Sequence, residues 1–433
     1  MQITELYDIF KKHPIITTDS RDCPVGSIFF ALKGDTFDGN KFATKAIEQG
    51  CSYAVIDNAE YAVEGDSRYI LTTDVLTTLQ QLAHHHRRTL RTKIIGVTGT
   101  NGKTTTKELI AKVLEEKYKV LYTQGNFNNH IGVPKTLLRL TPEHQIAVVE
   151  MGANHPGEIK TLVEIVDPDY GIITNVGKAH LEGFGSFEGV IHTKGELYDY
   201  LRTKENHIVF IHNENEHLLN ISQGLNLIRY GTADIDTLCA RGEVISCSPM
   251  LKFRWRHGAG EWHEVQTQLI GAYNIYNMLA AVCIGLYCGV SPEQIDHALT
   301  SYTPKNNRSQ LTVTAHNRLI VDTYNANPTS MEAALHNFKV MDVKPKMVIL
   351  GDMRELGKSS AEEHQKMVDF LSTCDFDEVW LVGDEFDKTC CDFRKFKDVE
   401  EVKSAITHAC PQGYYILIKG SNTTRLYQLP ELL

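Results

Sequence analysis

The chain has 433 residues, enough for two to four domains, and its 42% hydrophobic and 23% charged residues are typical of a soluble globular protein. The sequence contains no apolar run of the roughly 18–20 residues that a membrane span needs, and a net charge of −10 argues against a nucleic-acid partner. The scattered cysteines and a start without signal-peptide features lead us to expect a cytoplasmic protein with reduced thiols.

Residues 1–88 are predicted to form a small α/β domain. The β-type runs SIFFAL, SYAVID and RYILTT alternate with helix-like stretches such as KFATKAIEQG. The segment ends with His84-His85-His86-Arg87-Arg88. Adjacent histidines on a helix fan apart and cannot all face one metal ion, so we interpret them as a solvated helix end.

Residues 89–308 are predicted to form a central domain around a parallel sheet. The strand-like runs TKIIGVTG, HQIAVVEMG, YGIITNVG and HIVFIHN are each followed by a polar or helical stretch, and this alternation favours crossover helices. Residues 238–270 have the pattern of a β-rich insertion.

The segment GVTGTNGKTTT joins the first of these strands to an amphipathic helix. A glycine-rich turn leaves backbone N–H groups free to bind an anion, the helix N-terminus adds partial positive charge, and a lysine adds a full one. The match to G-x-x-x-x-G-K-[ST] is imperfect, because Val97 holds the first glycine position. The segment nevertheless predicts binding of ATP or GTP through Gly99, Thr100, Asn101, Gly102, Lys103, Thr104 and Thr105.

Several other polar residues stand where strands of this predicted sheet end, which is where open α/β sheets form their sites. Glu150 ends IAVVEMGAN and is a candidate second anchor for Mg²⁺, although a solvated carboxylate is an alternative. His180 follows GIITN, and a purely structural histidine remains possible. Lys194 is, from its surroundings alone, an ordinary surface lysine of a helix. The loop GNFNNHIGVP places Asn126, Asn128 and Asn129 behind the nucleotide-binding segment.

Residues 309–433 are predicted to form a second doubly wound, Rossmann-like domain. The runs RLIVDTYN, KMVILGD, EVWLVGD and YYILIKG are strand-like and are separated by helical stretches. The expected fold is therefore α/β with three domains, the central one a P-loop ATPase domain.

The order of the motifs resembles that of the Mur ligases, the ATP-dependent amide ligases of peptidoglycan precursor synthesis. The motifs are TGTNGKTTT, NxNNxxGxP, EMGAN, NVGKAHLEGFGS, TKGEL, GAYNIYN, NNRSQ and DTYNANPTSM. The resemblance covers nearly the whole chain. It implies that residues 1–88 bind a UDP-linked substrate, residues 89–308 bind ATP and residues 309–433 bind the incoming substrate.

The resemblance also implies roles for individual residues. Lys103 is expected to hold the β- and γ-phosphates of ATP, and Lys194 to carry a carbamate, which needs an unprotonated amine and hence a lowered pKa. The implied ligands of two Mg²⁺ ions are Thr104, Glu150, His180 and carbamylated Lys194. The implied catalytic residues are Lys103, Glu150, His180 and Lys194. Further ATP contacts are expected from Asn274, Asn277, Arg308 and Asp322, and substrate contacts from Ser20, Arg21, Asp38, Gly39, Asn126, Asn128, Asn129, Tyr324, Asn325 and Asn327.

The early DSR triplet together with DTYNANP resembles the branch of this family that joins D-alanyl-D-alanine to UDP-N-acetylmuramoyl-tripeptide through an acyl phosphate. A monomer is expected. The alternatives are a ligase that adds the third amino acid, a folylpolyglutamate synthetase, and a P-loop regulatory NTPase. The segment IKGSNTTRL departs from the usual family pattern, which leaves the roles of Ser421 and Arg425 open.

Overall fold

The structure is a computed structural model that describes residues 1–304 and 310–433. Arg308, which the family resemblance places near the nucleotide, lies outside the described residues. Within these ranges, every helix is too short or too polar to span a lipid bilayer. The ten cysteines, all in the described part of the chain, are free thiols.

The first domain is built on a small parallel sheet. Its helices are Ile3–Lys12 (α1), Ala43–Glu48 (α2) and Val75–Leu90 (α3), and its strands are Ile16–Thr17 (β1), Ile28–Phe30 (β2), Lys33–Gly34 (β3), Phe37–Asp38 (β4), Tyr53–Ile56 (β5) and Tyr69–Leu71 (β6). The sheet order is β1-β2-β5-β6, and β3 pairs with β4 in a separate two-stranded ribbon.

The histidine-rich end of α3 is packed and not solvated, so that interpretation of the sequence was wrong. His86 is buried, with Nδ1 at 3.1 Å from the Tyr7 hydroxyl and Nε2 at 2.9 Å from the Leu140 carbonyl. Arg87 is also buried and donates to the Val166 and Asp167 carbonyls at the end of a helix of the next domain. Burial of these polar side chains is tolerated because each of them forms hydrogen bonds.

The central domain contains a nine-stranded sheet. Its strands are Lys93–Thr98 (β7), Val120–Tyr122 (β8), Ile146–Glu150 (β9), Tyr170–Ile173 (β10), Ile208–His212 (β11), Leu227–Gly231 (β12), Ala240–Cys247 (β13), Met250–Arg256 (β14) and His263–Ile270 (β15). Its helices are Lys103–Glu115 (α4), Gly132–Leu137 (α5), Glu158–Val166 (α6), Leu181–Phe184 (α7), Phe187–Arg202 (α8), Glu216–Ile221 (α9), Ile275–Tyr287 (α10) and Pro292–Ser301 (α11).

The strand order of this sheet is β15-β14-β13-β12-β11-β10-β7-β9-β8. All pairs from β8 to β13 are parallel, as predicted, whereas β13, β14 and β15 are antiparallel and extend the sheet at one side. The predicted β-rich insertion is therefore an extension of the central sheet. A two-residue connection between β13 and β14 is compatible only with this antiparallel pairing.

The third domain has the predicted second sheet of α/β type. Its strands are Gln310–Val313 (β16), Arg318–Asp322 (β17), Lys346–Gly351 (β18), Glu378–Val382 (β19), Arg394–Phe396 (β20) and Tyr415–Lys419 (β21), and its helices are Pro328–Val340 (α12), Ser360–Leu371 (α13), Asp384–Asp387 (α14) and Val399–His408 (α15). The order is β16-β17-β21-β18-β19-β20, in which only β16, among these strands, is antiparallel to its neighbour.

The first and central domains share an apolar core, whereas the third domain has cores mostly of its own. One buried cluster runs from Phe10 of α1 through Leu79 and Leu82 of α3 to Val163 of α6, so the first and central domains share a core. The third-domain clusters consist mostly of residues from its own sheet and helices. Its contacts with the central domain near the ends of β7 and β10 are largely polar, as expected of an interface that can open.

Candidate functional site

A cavity of about 950 Å³ lies at the carboxyl ends of β7, β9 and β10, where the central domain meets the third domain and the side of α3. Its lining brings together most of the predicted site residues: Thr100, Asn101, Gly102, Lys103, Thr104, Thr105, Asn126, Asn128, Asn129, Glu150, His180, Asn274, Asn277, Asp322, Tyr324 and Asn325.

The loop between β7 and α4 has the geometry of an anion cradle. Gly99 and Gly102 have φ values of +140° and +76°, and a Cβ on Gly99 would meet Thr174 Oγ1 at 2.1 Å. The Thr100 N–H donates to the Asn175 carbonyl at 2.9 Å, which fixes the loop against the end of β10. Lys103 Nζ donates to the Gly99 and Thr100 carbonyls at 2.8 and 2.9 Å, so its ammonium lies over the loop. This arrangement can bind a phosphate chain at the start of α4.

A buried carboxylate lies beside this cradle. Glu150 is 1% exposed, and its Oε1 accepts hydrogen bonds from Thr104 Oγ1 at 3.2 Å and from Asn128 Nδ2 at 2.8 Å. No described residue donates to its Oε2, which is also buried. A buried carboxylate oxygen without a partner is costly unless a ligand uses it. Since Mg²⁺ prefers oxygen ligands, the Thr104–Glu150 pair fits this ion.

Lys194 of α8 is buried behind the cavity wall, 2% exposed, and is not the surface lysine that its local sequence suggests. Its Nζ donates to the Ala153 carbonyl at 3.2 Å and lies 5.0 Å from the centre of the Phe184 ring. Burial, reinforced by the charge of Lys103, holds the pKa of Lys194 well below the ordinary lysine value. The expected lowering is confirmed, and it increases the fraction of neutral amine that can react with CO₂.

His180 lies at the start of α7 with a left-handed φ of +51° and lines the same cavity. Its Nδ1 contacts the carboxylate of Glu355, a residue of the third domain. Burial lowers the pKa of His180, and the neighbouring charge of Glu355 opposes this effect. A neutral imidazole is the form that binds metals. In the described part of the chain no three His, Cys, Asp or Glu side chains form a metal cluster, so any ion here depends on the mixed donor set above.

The two asparagines expected beside adenine lie together at the edge of the cradle. Asn277 Nδ2 donates to Asn274 Oδ1 at 2.7 Å, and Thr106 Oγ1 donates to Asn277 Oδ1 at 3.0 Å. A Cβ on Gly102 would lie 2.8 Å from Asn277 Oδ1, so α10 is packed directly against the start of α4.

The third domain supplies the opposite wall. Asp322 at the end of β17 forms an ion pair of 2.5 Å with the buried Lys419, which also donates to the Asn325 carbonyl at 3.4 Å. Asn327 caps α12 by accepting from the Ser330 N–H at 2.9 Å and contacts Asn101 of the cradle. Tyr324, at the cavity mouth, is 39% exposed.

The four residues predicted in the first domain do not line this cavity. Arg21 forms an exposed ion pair of 2.7 Å with Asp19, next to Ser20, and its guanidinium lowers the pKa of that carboxyl. Asp38 Oδ1 accepts from the Asn40 N–H at 3.0 Å, and a Cβ on Gly39 would lie 2.4 Å from the Leu32 carbonyl oxygen. Gln80 and Leu76 of α3 connect this domain to the cavity.

Reasoning from the sequence missed several residues at the site. Asn175 and His212 stand at the ends of β10 and β11, so the strand-end rule that selected Glu150 could have found them. Lys419 ends β21 in the same way. Glu355 has no such signal, because only the meeting of two domains brings it to His180.

Comparison with known proteins agrees with this geometry. Residues 13–87 match the description "Mur ligase family, catalytic domain", residues 97–285 "Mur ligase middle domain", and residues 307–422 "Mur ligase, glutamate ligase domain". The UDP-N-acetylmuramoyl-tripeptide–D-alanyl-D-alanine ligase of Bacillus subtilis is 33% identical over 96% of this chain and 92% of its own length.

Two solved structures are similar over the whole fold. MurF from Acinetobacter baumannii has a TM-score of 0.85 at 31% identity, covering 96% of this chain and 92% of that one. MurF ligase from Thermotoga maritima in complex with ADP has a TM-score of 0.86 at 25% identity, covering 98% and 97%. The three domains, the phosphate cradle and these similarities lead to one conclusion: the chain belongs to the Mur ligase family.

Proposed function

We propose that this chain joins D-alanyl-D-alanine to UDP-N-acetylmuramoyl-tripeptide, with conversion of ATP to ADP and phosphate. The observation that carries this proposal is one cavity in which the phosphate cradle, the buried Glu150 and the third domain meet, with the buried Lys194 behind its wall at Ala153. The relatives and neighbours named above, which cover nearly the whole chain, support the same activity.

The cradle is the site that we propose for the triphosphate of ATP. The N–H groups at the start of α4 point toward the phosphates, and Lys103 moves its ammonium from the loop carbonyls to the β- and γ-phosphates. Asn274 and Asn277 contact the adenine side, and Asp322 the ribose side. The solved structure of MurF ligase from Thermotoga maritima is a complex with ADP, which supports the proposal that this chain binds an adenine nucleotide.

We assign two Mg²⁺ ions to this side of the cavity, with Thr104, Glu150, His180 and carbamylated Lys194 as the proposed ligands. The unpartnered Glu150 Oε2 and the lowered pKa of Lys194 support this assignment. When bound, such ions neutralise the negative charge shared by the triphosphate and the substrate carboxylate.

The proposed reaction consists of two successive displacements, and residues of this chain orient the reacting groups in both. An oxygen of the tripeptide carboxylate attacks the γ-phosphorus, and the bond to the bridging oxygen of ADP breaks to give an acyl phosphate. The free amine of D-alanyl-D-alanine then attacks the acyl carbon, loses a proton and expels inorganic phosphate. Lys103 balances charge on the transferred group in the first step. Closure of the third domain over the cavity excludes water from the acyl phosphate.

Each of the three predicted domains is proposed to bind one substrate. Residues 1–88, with Ser20, Arg21, Asp38 and Gly39, bind the UDP moiety, residues 89–308 bind ATP, and residues 309–433, with Tyr324, Asn325 and Asn327, bind the dipeptide. Asn126, Asn128 and Asn129 line the cavity, and their proposed role is to contact the peptide of the UDP substrate. The proposal includes a monomer that acts in the cytoplasm, where ATP is available.

The test is a coupled phosphate-release assay with a panel of UDP-muramoyl peptides and amine substrates, with Lys103→Ala as the background control. Phosphate release that requires both a UDP-muramoyl-tripeptide and D-alanyl-D-alanine supports the proposal. Release with a UDP-muramoyl-dipeptide and a single amino acid indicates the third-residue-adding ligase instead, and use of a folate substrate indicates a folylpolyglutamate synthetase. Release with ATP alone indicates a regulatory NTPase.

A further inference from the structure

We infer that Glu355 of the third domain is a positioning residue for His180, so that docking of the third domain completes the cation-binding side of the central site. The inference rests on the proposed function, since it assigns His180 to that side. Glu355 itself lies after β18, on a loop of a different sheet from the strand that precedes His180.

The contact between the two loops involves both side chains and backbone. His180 Nδ1 contacts the Glu355 carboxylate. An ionised carboxylate can only accept hydrogen bonds, so in this pair Nδ1–H is the donor. The Glu182 N–H donates to the Glu355 carbonyl at 3.2 Å, and the next glycine, Gly357, lies against Glu182. Glu355 is therefore held by its backbone as well as by its carboxylate.

Both members of the pair have an unusual backbone. His180 and Glu355 have φ values of +51° and +62°, although neither is glycine. The left-handed region is disfavoured for such residues, and it persists where the surroundings impose it. In this protein, the left-handed backbone at His180 and at Glu355 directs the two side chains toward each other across the domain boundary.

The consequence for His180 follows from the chemistry of imidazole. A neutral ring has one N–H and one lone pair, and donation from Nδ1 to a carboxylate leaves the lone pair on Nε2. A carboxylate behind a metal-binding histidine also fixes the ring plane and raises the basicity of the ligand. Because His180 lines the cavity, Glu355 selects Nε2 as the nitrogen that can face a cation there.

A neighbouring ion pair provides a matched control. Lys178, two residues before His180, pairs with Glu363 of α13 at 2.8 Å and joins the same loop to the same domain. In the described structure, Glu363 forms hydrogen bonds and ion pairs with Lys178 and Lys366, and none with His180. If Glu355 served only to dock the domains, removing either carboxylate would have the same effect.

The experiment compares wild type, Glu355→Ala, Glu355→Gln and Glu363→Gln as full-length proteins, each checked by its melting temperature. Mn²⁺ is titrated into the protein with ADP, and bound ion is counted from the loss of the free-ion EPR signal, with ADP alone as reference. We expect Glu355→Ala to weaken binding about 10- to 100-fold, Glu355→Gln to weaken it less because its carbonyl oxygen still accepts, and Glu363→Gln to leave it within about twofold. Equal binding by Glu355→Ala and Glu363→Gln overturns the inference.

A second arm uses His180→Ala and the double variant His180→Ala/Glu355→Ala. If Glu355 acts through His180, adding Glu355→Ala to the histidine variant changes neither Mn²⁺ affinity nor kcat further. Additive losses overturn the inference, even where one single variant is poorly stable. Absence of ligase turnover in wild type contradicts the proposed function, whereas the Mn²⁺ titrations, which use no acceptor substrate, still decide the role of Glu355.

Discussion

Asn327 Nδ2 donates to Asn101 Oδ1 at 2.8 Å, and Asn101 Nδ2 returns a weaker contact to Asn327 Oδ1 at 3.4 Å. One amide belongs to the phosphate cradle and the other caps the first helix of the third domain. The two amides therefore connect the ATP loop directly to the domain that is proposed to bind the dipeptide, and this pairing suggests how nucleotide binding and domain docking depend on each other.

The variant Asn327→Ser separates the two roles of Asn327, which are capping α12 and contacting Asn101. Serine caps a helix as well as asparagine does but is too short to reach Asn101. We expect the melting temperature of the free protein to change little, while the affinity for ADP falls about fivefold, equivalent to about 1 kcal/mol for the lost amide contact. Calorimetric ADP titration measures this, with Ser330→Ala as a control that affects the same cap. Unchanged ADP affinity would show that the amide pair has no part in nucleotide binding.

Arg21→Ala tests the separate location of the UDP-binding residues. Because Arg21 is exposed and lies outside the ATP cavity, we expect its loss to raise KM for the UDP-linked substrate about tenfold through a missing charged contact. The KM for ATP and the melting temperature should remain at wild-type values. Arg68→Ala removes another exposed arginine–aspartate pair of the same domain and serves as the control. Equal effects of both variants would contradict a specific role for Arg21.

Lys103→Ala tests the phosphate cradle. The lysine contributes two hydrogen bonds to loop carbonyls in the free protein and, by our proposal, charge compensation during phosphoryl transfer. We expect kcat to fall on the order of 10²- to 10³-fold or more, with ATP turnover undetectable in a routine assay. The neighbouring Lys107, which is buried and donates to the Thr123 carbonyl, is unsuitable as a control, whereas the half-buried Lys112 is suitable. Unchanged turnover would mean that the cradle is misassigned.

The sequence was sufficient to predict the cradle and the strands β7, β9, β10, β11, β17, β18, β19 and β21, because buried parallel strands and a glycine-lysine-threonine turn have local signatures. The strands β8, β12, β16 and β20 were not predicted. The local sequence pattern did not predict burial where the residues that cover a side chain are distant in sequence. The histidine-rich end of α3 was expected in solvent, yet His86 is buried against Tyr7 and Leu140, which are far away in sequence. Lys194 likewise has an unremarkable helical neighbourhood, and only the family resemblance marked it.

The contact of His180 with Glu355 could not be predicted from either segment, because 175 positions separate them and two different sheets carry them. By contrast, Glu150 and Thr104 were predictable as neighbours, since β7 and β9 are adjacent strands whose ends meet at one edge. The strand-end rule thus locates residues within one sheet, whereas contacts between domains require the structure.

Lys194→Ala tests the carbamate in the proposed mechanism. We expect the variant to lose most activity, on the order of 10²-fold or more, because the charge opposite the phosphates is no longer neutralised in the same geometry. Added bicarbonate should not restore activity, since no amine remains, whereas a short carboxylic acid should restore part of it by supplying carboxylate oxygens. In wild type, ¹³C-labelled bicarbonate should give a carbamate NMR signal that Lys194→Ala lacks. Full activity of the variant removes the carbamate from the mechanism.

Lys194 also predicts how stability depends on pH in CO₂-free buffer. Its pKa in the folded protein is well below the ordinary lysine value, so between these two values the unfolded chain binds more protons than the folded one. Stability of the wild type therefore rises with pH through this window, and the burial penalty is greatest below the folded pKa. Lys194→Met, of similar length and without charge, should be more stable at about pH 6 by at least about 1 kcal/mol, since each pKa unit corresponds to about 1.4 kcal/mol.

This advantage of Lys194→Met should shrink as the pH is raised to about 9 or above, where the wild-type amine of the unfolded chain also begins to lose its proton. Urea unfolding of both proteins at several pH values measures the difference, with the exposed Lys160→Met as the control for the loss of one positive charge. A constant difference across the range would mean that Lys194 is charged in the folded protein. Such a lysine could not hold CO₂, and the second cation would then need a different ligand.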